Sequence, residues 1–194
     1  MSRFVLATAN LHKADEMRAV LGPLGVELIA RPLDVPDVDE TEDTLEGNAV
    51  LKARALTHAT GLAAIADDTG LFVDALGGRP GVQSARYAGE AASYRDNVNK
   101  LLDELREALL PHKARFRTVI AVVYPNGDWF STEGVLEGII TDRVRGEGGF
   151  GYDPVFEPLG AGGRTLAEMT SEEKNAVSHR ARALHALVEE LASR

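Results

Sequence analysis

The stretch "RFVLATANLHKADEMRAVLGPLGVELIAR" (residues 3–31) sets the fold class. Its opening "RFVLAT" (3–8) is a short apolar run of strand length. From Asn10 onward the apolar spacing changes, and Ala14, Met17, Leu21 and Leu24 recur on one face of a helix. Gly22-Pro23 marks the end of that helix, and "VELIAR" (26–31) reads as a second strand. A strand, a helix and a strand in close succession describe the beginning of an α/β sheet.

The pattern continues outward from this unit. "PLDVPDVDETEDTLEG" (32–47) is an acidic loop broken by Pro32 and Pro36, and "NAVLKARALTHAT" (48–60) returns to helical spacing until Gly61. "LAAIA" (62–66) is the next strand, expected to end at the adjacent aspartates Asp67 and Asp68. "ALGGRPGVQSARYAGE" (75–90) is a glycine-rich loop and "SYRDNVNKLLDELREALL" (93–110) a helix. "ARFRTVIAVVYPNGDWFSTEGVLEGII" (114–140) reads as a hairpin turning at Asn126-Gly127. After "GEGGFGYDP" (146–154) comes a terminal helix with an apolar stripe of Val177, Ala181, Leu184, Val188 and Leu191. The expectation is an α/β protein with a mixed central sheet and flanking helices, a single domain over residues 1–194.

Composition limits the function. Of 194 residues, 44% are hydrophobic and 26% charged, the balance of an ordinary globular chain. Thirty acidic residues against 21 basic ones give a formal charge of −9, which argues against a nucleic-acid or anionic-membrane partner. A few local cations still suffice for a phosphate ligand. The chain has no cysteine, and therefore no thiolate chemistry or disulfide framework. No apolar segment approaches the roughly 20 residues of a membrane helix, and the apolar start is too short for a signal sequence. A cytoplasmic protein is expected.

Four places suit a phosphate or a nucleotide. In "TANLHK" (Thr8, Ala9, Asn10, Leu11, His12, Lys13), Asn10 stands at a helix N-cap with Lys13 in the first turn, where free N–H groups favour an anion. Alone, the pattern reads more simply as a capped helix with a solvated lysine. Asn48 and Lys52 are four apart in "EGNAVLKAR" and share a helical face, although a surface lysine is the commoner outcome of such a pattern. Asp67 and Asp68, followed by Thr69-Gly70, point to opposite sides of an extended chain. Magnesium takes one or two carboxylates together with substrate phosphates, and Glu40 is a further carboxylate. An acidic turn is the bland alternative. In "GEGGFGYDP", Phe150 is an aromatic plate among glycines, suited to stacking on a base beside Gly151, Tyr152 and Asp153. Its alternative is a turn with both rings in the core.

The terminal segment "TSEEKNAVSHR" (170–180) adds Lys174, His179 and Arg180, with capping-box spacing at Thr170 and Glu173. At about 100° per residue, Lys174 and Arg180 flank the apolar stripe while His179 falls opposite. One continuous helix cannot aim all three at one point. A break with Ser178 as a new N-cap resolves this.

In this order, "TANLHK", "EGNAVLKAR", "ADDTG", "PGVQSARYAG", "GGFGYDPVF" and "EEKNAVSHRARAL" resemble the inosine triphosphate pyrophosphatase family, the dITP/XTP pyrophosphatases. The resemblance implies an α/β fold with two lobes around a nucleotide cleft, usually a homodimer. It implies Mg²⁺-dependent cleavage of non-canonical purine nucleoside triphosphates to the monophosphate and pyrophosphate. Thr8 to Lys13 and Lys52 would hold the triphosphate. Asp68 would be catalytic base and metal ligand, with Glu40 and Asp67 as further metal carboxylates. Thr69 stands where most relatives have serine and keeps the hydroxyl for a phosphate contact. Phe150 to Asp153, Lys174, His179 and Arg180 would embrace the base and sugar. "EGVLEGII" (133–140) lacks the Trp-Pro often found there, which touches local packing and none of these residues.

On this reading an ordinary aspartate at position 68 is a weak base, so the metal supplies most of the activation. A donor facing the 6-oxo group of hypoxanthine or xanthine would oppose the 6-amino group of adenine. Two other readings use the same residues. An aspartyl-phosphate phosphatase wants Asp-x-Asp and meets adjacent aspartates here. A noncatalytic nucleotide sensor has little need of three carboxylates around a polyanion.

Overall fold

The computed structural model describes Ser2–Arg194; Met1, part of the single-domain expectation, lies outside the described residues. Among the described residues the strands β1 (Ser2–Leu6), β2 (Val26–Ile29), β3 (Ala64–Val73), β4 (Pro80–Gly81), β5 (His112–Val123), β6 (Trp129–Ile140) and β7 (Phe156–Pro158) form a seven-stranded sheet. Its order is β2-β1-β3-β5-β6-β7, with β4 on β3. β1 runs parallel to β2 and β3, whereas β4 on β3 and β7 on β6 are antiparallel, so the sheet is mixed as expected. The helices are α1 (Leu11–Leu21), α2 (Leu45–Thr60), α3 (Tyr94–Leu105), α4 (Ser171–Val177) and α5 (His179–Ser193).

The chain divides into two compact units, each assembled from separate stretches of sequence. Unit 1 comprises Met1–Asp68, Thr118–Gly134 and His179–Arg194; unit 2 comprises Thr69–Arg117 and Val135–Ser178.

In unit 1 the strands β1, β3 and β5 are buried on both faces, and alternation along each sorts its side chains between two cores. Phe4, Leu6, Ile65, Ile120 and Val122 pack with Ala14, Met17 and Leu21 of α1 and Ala183, Leu184 and Leu187 of α5. Val5, Ala7, Ala64, Ala66 and Val123 pack with Ala53 and Leu56 of α2. Unit 2 has its own core, in which Leu71 and Val73 meet Val98, Leu101 and Leu105 of α3, and Phe116 meets Phe156 with ring centroids 4.6 Å apart.

Several expectations are corrected. β3 does not end at the aspartates; it runs through them to Val73, because cations on each side offset their charge. α1 stops at Leu21, and Leu24, assigned to its apolar face, is exposed in the following turn. α2 begins at Leu45, inside the segment read as loop, because Thr44 caps it by accepting from the Gly47 N–H. α3 ends at Leu105, five residues early. The terminal helix is two helices: Ser178 has extended backbone (φ −63°, ψ 154°) between α4 and α5, the break that the geometry of His179 demanded.

α5 is held against β6 at one position where only hydrogen fits. A Cβ on Gly134 would lie 2.1 Å from the His179 carbonyl oxygen and 2.4 Å from the Ala183 nitrogen, while the Thr132 hydroxyl donates to the Ala183 carbonyl at 2.9 Å. Backbone atoms cannot swing aside as a side chain does. Gly134→Ala is therefore expected to destabilise the protein by about 3 kcal/mol, the upper end of ordinary overpacking, read as a lower midpoint in denaturant unfolding.

Candidate active site

The alternation that sorts the cores also sorts the aspartates. Asp67 continues the side of Ile65, which faces α1 and α5, and Asp68 continues the side of Ala64 and Ala66, which faces α2. Asp67 accordingly meets Lys13 of α1, with Nζ at 3.0 Å from Oδ2, and Arg180 of α5, at 3.1 Å from the same oxygen. Arg180 also pairs with Glu16 of α1. Its side chain is 2% exposed and that of Asp67 is fully enclosed. Asp68 meets α2: Lys52 Nζ lies 3.0 Å from its Oδ1 and Asn48 Nδ2 lies 3.4 Å from its Oδ2. Lys52 also holds Glu40 Oε1 at 2.7 Å.

Local sequence builds each partner's position. The Asn10 side chain caps α1 by accepting from the His12 and Lys13 N–H groups at 3.0 and 3.3 Å, and the Thr8 hydroxyl accepts from the Asn10 N–H at 3.1 Å. This starts α1 so that Lys13 and Glu16, three apart, share the face toward Arg180 and Asp67. Ala9, Leu11 and His12 stand exposed around the cap. The break at Ser178 places His179 and Arg180 in the first turn of α5, both buried.

The two carboxylates differ electrostatically. Burial pushes Asp67 toward the neutral form, but Lys13, Arg180 and Lys52 outweigh it and hold the carboxyl far below the usual aspartate range. Burial also pushes Asp68 upward; Lys52 opposes this, Glu40 adds to it, and the group ends above an ordinary aspartate. The expectation of an ordinary aspartate at 68 is thus corrected. Lys52 is pulled down by burial but raised further by Asp68, Asp67 and Glu40, and stays charged. Arg180, too, is held charged against its burial by Asp67 and Glu16.

Unit 2 carries its own constellation; Thr69, half-buried in β3, falls in the same unit. Asp153 Oδ2 accepts from Lys174 Nζ at 2.6 Å and from the Phe150 N–H at 2.8 Å, and both charged residues are buried. Lys174 Nζ also sits 4.6 Å from the centroid of the Phe150 ring, with Tyr94 tilted beside it at 6.0 Å. Gly149 has φ +69°, and a Cβ there would lie 2.1 Å from Asp153 Oδ2, so glycine is what lets the loop close on the carboxylate. Gly151, also at positive φ, follows. Tyr152 is buried in the core of unit 2 and its hydroxyl donates to the Ser84 carbonyl at 2.9 Å. That is the core alternative for one of the two aromatic rings.

The sequence reading left three of these contacts unassigned. Glu16 was legible as a face-mate of Lys13, but its partner lies 164 residues away. The spacing puts Asn48 on the face of Lys52 but gives it no partner. Tyr94 beside Phe150 had no local signal at all. Glu40, Lys52 and Asp68 are brought together, whereas Asp67 is gathered with Lys13 and Arg180 instead. Among the described residues no group of three or more His, Asp or Glu side chains converges as a metal cage, and no helix is long and apolar enough to cross a membrane.

Comparison with known proteins agrees with the fold. A model of the Ham1 family matches residues 4–190. The chain is 49% identical over 190 residues to a dITP/XTP pyrophosphatase of Symbiobacterium thermophilum, covering 97% of this chain and 94% of that protein. It is 47% identical over 196 residues to a dITP/XTP pyrophosphatase of Geobacter sulfurreducens, covering 98% and 97%. The solved structure of a HAM1 protein from Coxiella burnetii superposes with a TM-score of 0.90 at 40% identity, covering 100% of both chains.

Because the folded-state pKa of Asp67 lies below its unfolded value of about 4, its stabilising contribution is complete above that value. The contribution is lost as the pH falls through the folded-state value. Asp67→Asn leaves Arg180 with one fewer carboxylate in a buried site and is expected to cost about 3–5 kcal/mol at neutral pH. Between about pH 4 and 2 the stability of wild type should fall more steeply than that of the variant, a difference that denaturant titrations across this range would measure.

Proposed function

This chain belongs to the Ham1 family, and from that membership we propose that it hydrolyses ITP, dITP and XTP to the monophosphate and pyrophosphate, removing non-canonical purines from the nucleotide pool. The observation that supports this best is the meeting of Asp68 and Glu40 at the Lys52 ammonium. Curated relatives named dITP/XTP pyrophosphatases match nearly the whole length of the chain, which supports the substrate class.

Mg²⁺ is the metal that this reading implies. Glu40 and Asp68 each direct an oxygen at one cation, the lysine ammonium. Two carboxylates aimed at a common point, with water and phosphate oxygens for the remaining positions, fit magnesium. Asp67, committed to Lys13 and Arg180, is the least suited of the three carboxylates. When bound, Mg²⁺ would neutralise phosphate charge and polarise the reacting phosphoryl group.

The remaining work falls to the chain's own residues. The capped start of α1, from Thr8 to Lys13, presents a helix N-terminus to the triphosphate. Lys13 and Lys52 offset charge on the phosphates and on the departing pyrophosphate. Asp68 accepts a proton from the water that attacks the α-phosphorus; the bond from that phosphorus to the α–β bridging oxygen breaks as the new P–O bond forms. Its raised pKa makes it a stronger base than an ordinary aspartate.

In unit 2, Phe150 with Lys174 and Asp153 offers a stacking face and a fixed polar edge suited to a purine, and Thr69 a hydroxyl for a phosphate. The family resemblance assigns His179 and Arg180 to the base; Arg180 is enclosed against Asp67 and Glu16, which leaves His179 as the donor in this proposal. A donor matched to a 6-oxo group leaves adenine's amino group unpaired, a mismatch worth about 10⁴ to 10⁵ in discrimination. A homodimer in the cytoplasm belongs to the same proposal.

Pyrophosphate release from ITP, XTP, ATP and GTP, each with Mg²⁺ and with EDTA, tests the reading. Rapid Mg²⁺-dependent release from ITP and XTP, with ATP slower by orders of magnitude, is expected; equal release from ATP would overturn the selectivity argument. Asp68→Asn should abolish turnover while nucleotide affinity is largely kept. The acid limb of kcat against pH should lie above the value of about 4 for a free aspartate, since Asp68 must be ionised to act as the base.

A further inference from the structure

We propose that Asn48 is a positioning residue for this reaction, fixing the rotation of the Asp68 carboxylate. Asn48 is completely buried, and three hydrogen bonds use its amide group. Its Oδ1 accepts from the Glu42 N–H at 3.0 Å, and its Nδ2 donates to the Glu42 carbonyl at 3.2 Å and to Asp68 Oδ2 at 3.4 Å. The amide orientation follows from these partners. A backbone N–H only donates, so the atom facing it must be the oxygen, and the nitrogen then faces two acceptors.

Position 48 and position 52 are one helical turn apart on the same face of α2. Lys52 holds Asp68 Oδ1 and Asn48 holds Asp68 Oδ2, so each carboxylate oxygen has its own donor from one rigid helix. A carboxylate held at one oxygen turns freely about its last bond; held at both, it presents a fixed lone pair to the attacking water. The same amide closes on both backbone groups of Glu42, two residues from Glu40. The close approach needs Gly47, where a Cβ would lie 2.7 Å from Glu42 Cβ. Asn48 therefore fixes the acidic loop and the base in one register. Groups that hydrogen-bond a reactive or metal-binding carboxylate typically govern about 10- to 100-fold of its activity.

This inference rests on the proposed pyrophosphatase reaction, and its test separates the two. Steady-state kinetics on dITP would compare wild type with Asn48→Ala and Asn48→Leu, with circular dichroism and denaturant midpoints as the fold control. Asn48→Leu keeps the volume and adds no charge while removing the donor to Asp68, so it decides the question if Asn48→Ala fails to fold. In the folded variants kcat should fall about 10- to 100-fold while KM moves far less. In denaturant unfolding, Asn48→Ala and Asp68→Asn should be non-additive, as contacting residues are. A lower midpoint with kcat unchanged would reduce Asn48 to a loop anchor and overturn the proposal, as would strict additivity. A wild type that releases no pyrophosphate from dITP would overturn the reaction itself, and the positioning role with it.

Discussion

Two adjacent carboxylates on a buried strand would repel each other and resist burial, and unit 1 is organised around resolving that. β3 passes through Asp67 and Asp68 because each is met from its own side of the sheet: Asp67 by Lys13 and Arg180, Asp68 by Lys52 and Asn48. A strand gives consecutive side chains opposite faces, so the doubled charge becomes two separate sites. The arrangement ties α1, α5 and α2 to one dipeptide. It also sets the start of α5, since the break at Ser178 is what brings Arg180 in from the first turn.

The two sites have different chemical characters. Asp67 lies in a chain of alternating charges, Lys13–Asp67–Arg180–Glu16, and is held ionised. A group so stabilised is a poor base and a good structural counter-ion. Asp68 has one ammonium, shared with Glu40, and burial leaves it with a raised proton affinity. That environment suits proton transfer. The division of labour follows from the number of cations on each face of the sheet.

Much of this was legible in the sequence, for identifiable reasons. The strand–helix–strand start, the hairpin at Asn126-Gly127 and the Asn10 cap are written in local spacing and turn chemistry, and the structure has each of them. The conflict between His179 and a single terminal helix was also local, and the observed break answers it. What local reasoning misjudged was the length of β3: a doubled aspartate reads as a strand end unless the cations are known to arrive from residues 13, 52 and 180. The pairing of Arg180 with Glu16, the contact of Asn48 with Asp68, and the placing of Tyr94 beside Phe150 join residues from 20 to 164 positions apart or lie across loops. No periodicity encodes them. Tyr152 illustrates the converse, a motif residue whose ring lies in the core and whose hydroxyl is committed to Ser84.

The most direct test of this account is a carbon-13 NMR titration of the aspartate carboxyls, with the two signals assigned from Asp67→Asn and Asp68→Asn. The account predicts that Asp67 titrates well below the usual aspartate range and Asp68 above it. Two carboxyls titrating together, or in the reverse order, would contradict the separation of a structural from a chemical carboxylate on which the rest is built.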